Sequence, residues 1–241
     1  MADVVAFVII PGIDGSDERH WQSRWERQWQ RRPDSSAVRI APASWSRPDL
    51  GDWVAAVGTA YGEAARHGDR VVLVAHSLGC WAASAWLRRN PSSPVGGAFL
   101  VAPPDPRGPA FPRTAAATFR TVSARPLPCP ALVVGSSDDP YCTPTAAADF
   151  AARWAARWHL AGPYGHVNSA SGLGAWPHGR ALLDVLVRRG AHTGRGSGGD
   201  RPSARSPRSR SLGTGPAAAA PGAAHEGLAA LRARYEPGNG S

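Results

Sequence analysis

Apolar residues along this chain gather in short runs, separated by longer stretches in which they recur every three or four positions. Val4 to Ile10 is continuously apolar, Val38 to Ala41 is short, and Val71 to Ala75 is rich in β-branched residues. Gly97 to Ala102, Ala131 to Gly135 and Trp158 to Ala161 complete six such runs. Short runs bounded by turn residues read as strands, and continuous hydrophobicity places them in a parallel sheet covered on both faces. The intervening stretches read as helices. Asp17 to Gln30 carries Trp21, Trp25 and Trp29 at steps of four, a stripe that faces a core. Asp49 to His67 has Asp49 as N-cap and Gly68 as its stop. Ser77 to Arg89 ends at Asn90-Pro91, and Thr145 to Arg157 and Gly179 to Arg189 are the last two.

The pattern breaks twice. Prolines at 103, 104, 106, 109, 112, 126, 128 and 130 forbid a long helix in that connection, leaving room for one short helix near Arg113 to Val122. The connection leaves the carboxyl end of a strand, where ligands bind in such sheets, so it reads either as a pocket wall or as a surface crossover. After Gly190 the composition shifts to Gly, Ser, Arg, Pro and Ala, which cannot bury enough apolar surface to offset ordering entropy. The expected organisation is one domain over residues 1–189 and a disordered basic tail over 190–241.

Charge changes this picture little. The chain of 241 residues has a net charge of +9, and all 27 of its basic residues are arginine. Seven arginines against three acidic residues lie in 190–241, and the rest are scattered, with no dense basic helix and no interleaving of aromatic and basic residues. That argues against a nucleic-acid partner. Three cysteines, Cys80, Cys129 and Cys142, are too few and too unpatterned for a disulfide framework or a zinc site. No apolar run is long enough to span a bilayer, and the N-terminal run lacks a basic leader and ends at Pro11-Gly12, so a cytoplasmic protein is expected.

The chemistry centres on Ser77. The strand at 71–75 runs straight into His76-Ser77-Leu78-Gly79 and then into a helix, the context of a nucleophile elbow. Such a turn needs small residues two before and two after the serine, and Ala75 and Gly79 occupy those positions. The helix start aims the Leu78 N–H at the place where an oxyanion would form. A serine hydroxyl needs a base, and this architecture places an acid and then a histidine after later strands. Ser136-Ser137-Asp138-Asp139-Pro140 follows the fifth run, and Gly165-His166-Val167-Asn168 follows the sixth. Of the eight histidines, His166 alone follows a turn at a strand's end. Asp138 and Asp139 could each reach it; Pro140 restricts its predecessor to an extended form and favours Asp139. A second oxyanion donor would come from the loop Pro11-Gly12-Ile13-Asp14-Gly15, most plainly Ile13. Gly12, His20, His76 and Asn168 are further candidates for the pocket wall, although core packing accounts for the tryptophans beside His20. These features together predict an α/β-hydrolase-type three-layer sandwich with about six parallel strands. They imply no metal and no organic cofactor.

The segments Ile9-Ile10-Pro11-Gly12, His20-Trp21-Gln22-Ser23-Arg24-Trp25, His76-Ser77-Leu78-Gly79, Ser137-Asp138-Asp139-Pro140-Tyr141 and Gly165-His166-Val167-Asn168 resemble the small serine hydrolases grouped with YdeN and retinoblastoma-binding protein nine. The resemblance spans about residues 4 to 188. It implies a six-stranded parallel sheet, a minimal lid, a triad at Ser77, Asp139 and His166, and a small-molecule substrate left undefined. The Leu-x-Cys-x-Glu sequence by which the mammalian member binds a protein partner is missing, since Leu127-Pro128-Cys129-Pro130-Ala131 lacks the acid. Acyl-ester hydrolysis is the reading that follows. An amidase or peptidase with the same triad, or an interaction module on a hydrolase fold, is the alternative.

Overall fold

A computed structural model describes residues 4–193, with side chains through residue 189. By its contacts the chain divides into a unit of Met1–Gly198 and a unit of Gly199–Ser241. The second unit, and with it nearly all of the expected tail, lies outside the described residues.

Among the described residues six strands are joined by connections that carry α-helices except between the fourth and fifth, and five α-helices are present in all. The strands are β1 (Val5–Ile10), β2 (Ser35–Arg39), β3 (Arg70–His76), β4 (Val95–Val101), β5 (Ala131–Gly135) and β6 (Arg157–Leu160). The helices are α1 (Trp21–Trp29), α2 (Leu50–His67), α3 (Leu78–Arg89), α4 (Pro144–Arg153) and α5 (Pro177–Thr193). All strand pairs are parallel, in the order β2-β1-β3-β4-β5-β6.

Because side chains alternate across a strand, each apolar run supplies two cores. Ala6, Val8, Ile10, Leu73 and Leu100 pack with Trp53, Trp81 and Phe150 of α2, α3 and α4. Phe7, Ile9, Val72, Val74 and Phe99 pack with the tryptophans of α1 and with Leu183 and Leu186 of α5. The result is a three-layer sandwich, and the stripe of Trp21, Trp25 and Trp29 is fully buried in it.

Several boundaries differ from expectation for local reasons. α1 begins at Trp21 rather than Asp17, because His20 is its N-cap and accepts the Gln22 N–H. α4 stops at Arg153, and Arg157 already belongs to β6. α5 continues past Arg189 to Thr193. Gly68 does end α2, but with φ −149° it is extended rather than left-handed. What requires glycine there is proximity: a Cβ would lie 2.8 Å from the Ala6 Cβ and 3.1 Å from the Val4 carbonyl oxygen.

The helix expected near Arg113 to Val122 does not form. Only a single 3-10 turn, Ala117–Phe119, is present. Phe111, Ala116 and Phe119 anchor the connection in the core, the Leu50 N–H donates to Thr118 Oγ1, and Trp81 Nε1–H donates to the Pro104 carbonyl. Burying those residues satisfies the segment without helical periodicity. Among the described residues no helix is long and apolar enough to cross a membrane.

Candidate active site

Parallel strands bring their carboxyl ends to one edge of the sheet, and three of those ends supply the side chains that meet there. Ser77 closes β3 with φ 54° and ψ −129°, a backbone conformation that is costly for a non-glycine residue and stands its side chain out of the turn. The turn is held from both sides. The Ser77 N–H donates to the Val101 carbonyl at 2.9 Å, and α3 presses against the end of β1 so closely that a Cβ on Gly79 would lie 2.3 Å from the Ile10 carbonyl oxygen. The small residue two past the serine is thus demanded by backbone contact.

His166 follows β6 and Asp139 follows β5. His166 Nε2 lies 2.8 Å from Ser77 Oγ, and its Nδ1 lies 3.0 Å from both carboxylate oxygens of Asp139. Asp138 turns elsewhere. Its Oδ1 accepts the Ser136 hydroxyl and the Gly165 N–H, each at 2.7 Å, so it fastens the β5 loop to the turn that carries His166. Those bonds, led by that from Ser136, hold its carboxyl below the usual carboxylate range. Asp139 is itself fixed by the Tyr141 N–H at 2.9 Å.

Two tethers set the position of His166. His76, the neighbour of Ser77, directs Nε2 at the His166 carbonyl at 2.9 Å; the carbonyl can only accept, so the proton is on His76 Nε2. Burial drives the His76 pKa well down and keeps that ring neutral. Trp21 Nε1–H of α1 donates to the Val167 carbonyl at 2.8 Å. Val167 has φ 51°, an unfavourable conformation for a β-branched residue. It is fully buried.

The loop after β1 covers the serine. Gly12 stands so close that a Cβ there would lie 2.6 Å from the Ser77 Cβ. The loop is braced by Gly15 N–H to the Gly12 carbonyl and by Asp14 N–H to the Trp45 carbonyl, each at 3.0 Å. Beneath it Gln22 is fully buried: its side-chain amide donates to the carbonyls of Ile10 and Val74, and its carbonyl oxygen accepts the Ser16 hydroxyl. Arg39 ties Ser23, Glu26 and the Ser16 carbonyl into the same support.

A cavity of about 480 Å³ opens over Ser77 and His166. Gly12, Ile13, His20, His76, Leu78 and Asn168 are all on its wall. Pro104 and Pro112 add the contribution of the proline-rich connection, which is therefore a wall rather than a surface crossover. The N–H groups of Ile13 and Leu78 have no partner among the described residues. Asn168 caps the turn Ser169–Ser171 by accepting the Ala170 N–H.

Sequence reasoning gave no role to Tyr141, whose ring centre lies 4.5 Å from that of His166, nor to Gln22. Tyr141 stands two residues after Asp139, a nearness that was available to notice; the buried polar fate of Gln22 had no local signal. Cys142 is a buried small side chain whose thiol pKa is pushed up to about 12, first by burial and then by Asp139 and Asp105. No group of His, Cys, Asp or Glu among the described residues is arranged to hold a metal ion.

Residues 7–185 match the family model described as serine hydrolase. A structure from Pectobacterium atrosepticum described as a YdeN-like hydrolase is 29% identical with a TM-score of 0.65, covering 78% of this chain and 92% of that one. The ydeN gene product of Bacillus subtilis is 20% identical with a TM-score of 0.61, covering 77% and 99%. A protein of Agrobacterium tumefaciens described as an α/β-hydrolase is 16% identical with a TM-score of 0.55, covering 80% and 87%. No curated protein sequence matches the chain. With its six-stranded parallel sheet and flanking helices, the chain belongs to the serine hydrolase family and is YdeN-like within the α/β-hydrolase fold.

Proposed function

We propose that the protein hydrolyses a carboxylic ester through an acyl-enzyme, with Ser77 as nucleophile, His166 as general base and acid, and Asp139 as the group that orients His166. The supporting observation is the continuous chain from Ser77 Oγ through the His166 ring to the Asp139 carboxylate, at 2.8 and 3.0 Å, opening on a cavity. Those are the distances at which proton transfer and imidazole orientation work.

The substrate carbonyl carbon accepts a new bond from Ser77 Oγ as the hydroxyl proton passes to His166 Nε2. Its oxygen becomes an oxyanion held by the N–H groups of Leu78 and Ile13, each worth about 3 kcal/mol to the transition state. Asp139 stays ionised, accepts a hydrogen bond from His166 Nδ1–H and stabilises the imidazolium. Collapse breaks the bond to the alcohol, which leaves with the proton from His166. Water then repeats the sequence and releases the acid. The binding partner implied is a small molecule.

Labelling by a fluorophosphonate tests the nucleophile. Wild-type protein should take up the label at Ser77, and Ser77→Ala should abolish both labelling and ester turnover. Asp139→Asn should lower kcat by about 10⁴-fold through the wrong imidazole tautomer. Unchanged turnover in Ser77→Ala would defeat the proposal. A panel of short acyl esters and aminoacyl amides separates esterase from amidase, with faster turnover of the esters expected.

A further inference from the structure

Away from Ser77, two adjoining cavities of about 300 and 210 Å³ lie against α3, α4 and the proline-rich connection. They share Trp81 and residues 121–123. Arg88, Arg89 and Arg125 line the larger cavity, and Arg107, Arg120 and Arg153 line the smaller. Neither wall carries an acidic residue. Arginines spread along the sequence from 88 to 153 are thus gathered around one groove by the fold.

Their charge is largely uncompensated. Among the described residues, the ion pair found at any of the six is that of Arg153 with Asp149, at 2.7 Å in the smaller cavity's wall. The guanidiniums of Arg88, Arg89 and Arg125 in the larger cavity make no ion pair and no hydrogen bond among the described residues. All three side chains are exposed, so packing does not account for them. Arg88 and Arg89 stand in the last turn of α3, where positive charge suits the helix dipole. That leaves Arg125 unexplained, since it lines the same cavity from another segment. Like charges around a concavity repel one another, and an anion seated among them relieves that repulsion.

The wall also says what kind of anion fits. Guanidiniums bind phosphoryl oxygens two at a time, and the exposed hydroxyl side chains of Thr121 and Ser123 on the same wall add further donors. A protein partner needs an apolar anchor at the centre of its interface. Leu160 and Tyr164, the exposed large hydrophobic side chains among the described residues, are on neither wall. Single-stranded nucleic acid needs an aromatic face to stack on, and Trp81 is only 1% exposed.

We propose that the cavity lined by Arg88, Arg89 and Arg125 binds a small molecule through a diphosphate group, with Arg107 and Arg120 next to it adding to the attraction. The site is separate from the cavity over Ser77 and does not depend on the ester-hydrolase reading.

Isothermal titration calorimetry of the full-length protein at low ionic strength, with inorganic pyrophosphate and with ADP, tests the assignment. Saturable binding at one site per chain is expected. The triple variant Arg88→Gln, Arg89→Gln, Arg125→Gln should weaken it by more than about tenfold, and Arg125→Gln alone, the smallest disturbance, by about fivefold. A control variant, Arg27→Gln, Arg31→Gln, Arg157→Gln, removes the same charge from exposed positions off the groove and should weaken it by less than about twofold. Thermal midpoints and fluorophosphonate uptake at Ser77 verify that the variants are folded. Tighter binding of ADP assigns the diphosphate to an organic carrier, and equal binding assigns it to the inorganic ion; either supports the site. Absence of saturable binding, or equal weakening in the groove and control variants, would overturn it. Displacement of pyrophosphate by a short polyglutamate at lower concentration than by ADP would overturn it in favour of an acidic protein partner.

Discussion

Asp138 and Asp139 are adjacent carboxylates with opposite duties, and what separates them is the direction each side chain takes from one turn. Asp138 holds the loop through Ser136 and Gly165, and Asp139 faces His166. The proline at 140 gave a reason to favour the second of the pair, but the partners of the first could not be read from sequence, because Gly165 is far away along the chain. Gly12 is a similar case. It was expected only as part of the pocket wall, whereas the structure also makes it a matter of space against Ser77. Gly12→Ala should therefore suppress fluorophosphonate labelling by more than about 100-fold, a displacement effect at the proposed nucleophile, with a loss of stability of about 1–3 kcal/mol from the forced shift. His20 carries a stability prediction. Its folded pKa of about 4 lies below the ordinary value of 6.5, so between those values the unfolded chain binds more protons. Stability rises with pH across that window, and lowering the pH from 7 to 5 should remove about 2 kcal/mol through His20 alone, with His76 acting in the same direction. Urea unfolding at the two pH values measures it, and His20→Asn should shrink the difference.

Elements were legible where burial was simple. A strand forms at each of the six expected runs: β1, β3, β4 and β5 because an apolar run inside a two-sided core has no other stable place, whereas the edge strands are less buried, and β2 is shifted to Ser35–Arg39 from the expected Val38 to Ala41. The proline-rich connection was not legible: its few buried side chains are irregularly spaced, and a pattern without a period cannot announce where it packs. The α1 stripe was read correctly as core and incompletely as structure. Trp21 and Trp25 also donate their indole N–H groups to the carbonyls of Val167 and Ala175, and Trp25 stacks on Trp176. The helix thereby grips the segment that follows His166. Trp21→Phe keeps the ring packing and removes one bond, leaving a buried carbonyl unpaired at a cost of about 1–3 kcal/mol. It should also lower kcat by letting Val167 relax from its strained conformation, with KM little changed; steady-state kinetics and thermal melting together check both effects.

At the scale of the whole chain, every residue of the candidate site falls within the unit Met1–Gly198. A protein ending at Gly198 should accordingly label at Ser77 at the wild-type rate, and a fall of more than about threefold, small as that is in activation energy, would show that residues 199–241 contribute to the site. The three side chains of the proposed triad come from positions 77, 139 and 166, so β6 must dock before His166 can reach Ser77. Local geometry then takes over from topology. The residue that carries His166's backbone is the immediate neighbour of Ser77, so the gap between base and nucleophile is gauged over one short span beside the reaction instead of across the width of the sheet. Warming that loosens the strands need not detune the pair while that bond and the Trp21 bond to the Val167 carbonyl hold, and loss of activity on heating should track the breaking of these two clasps before the melting of the sheet.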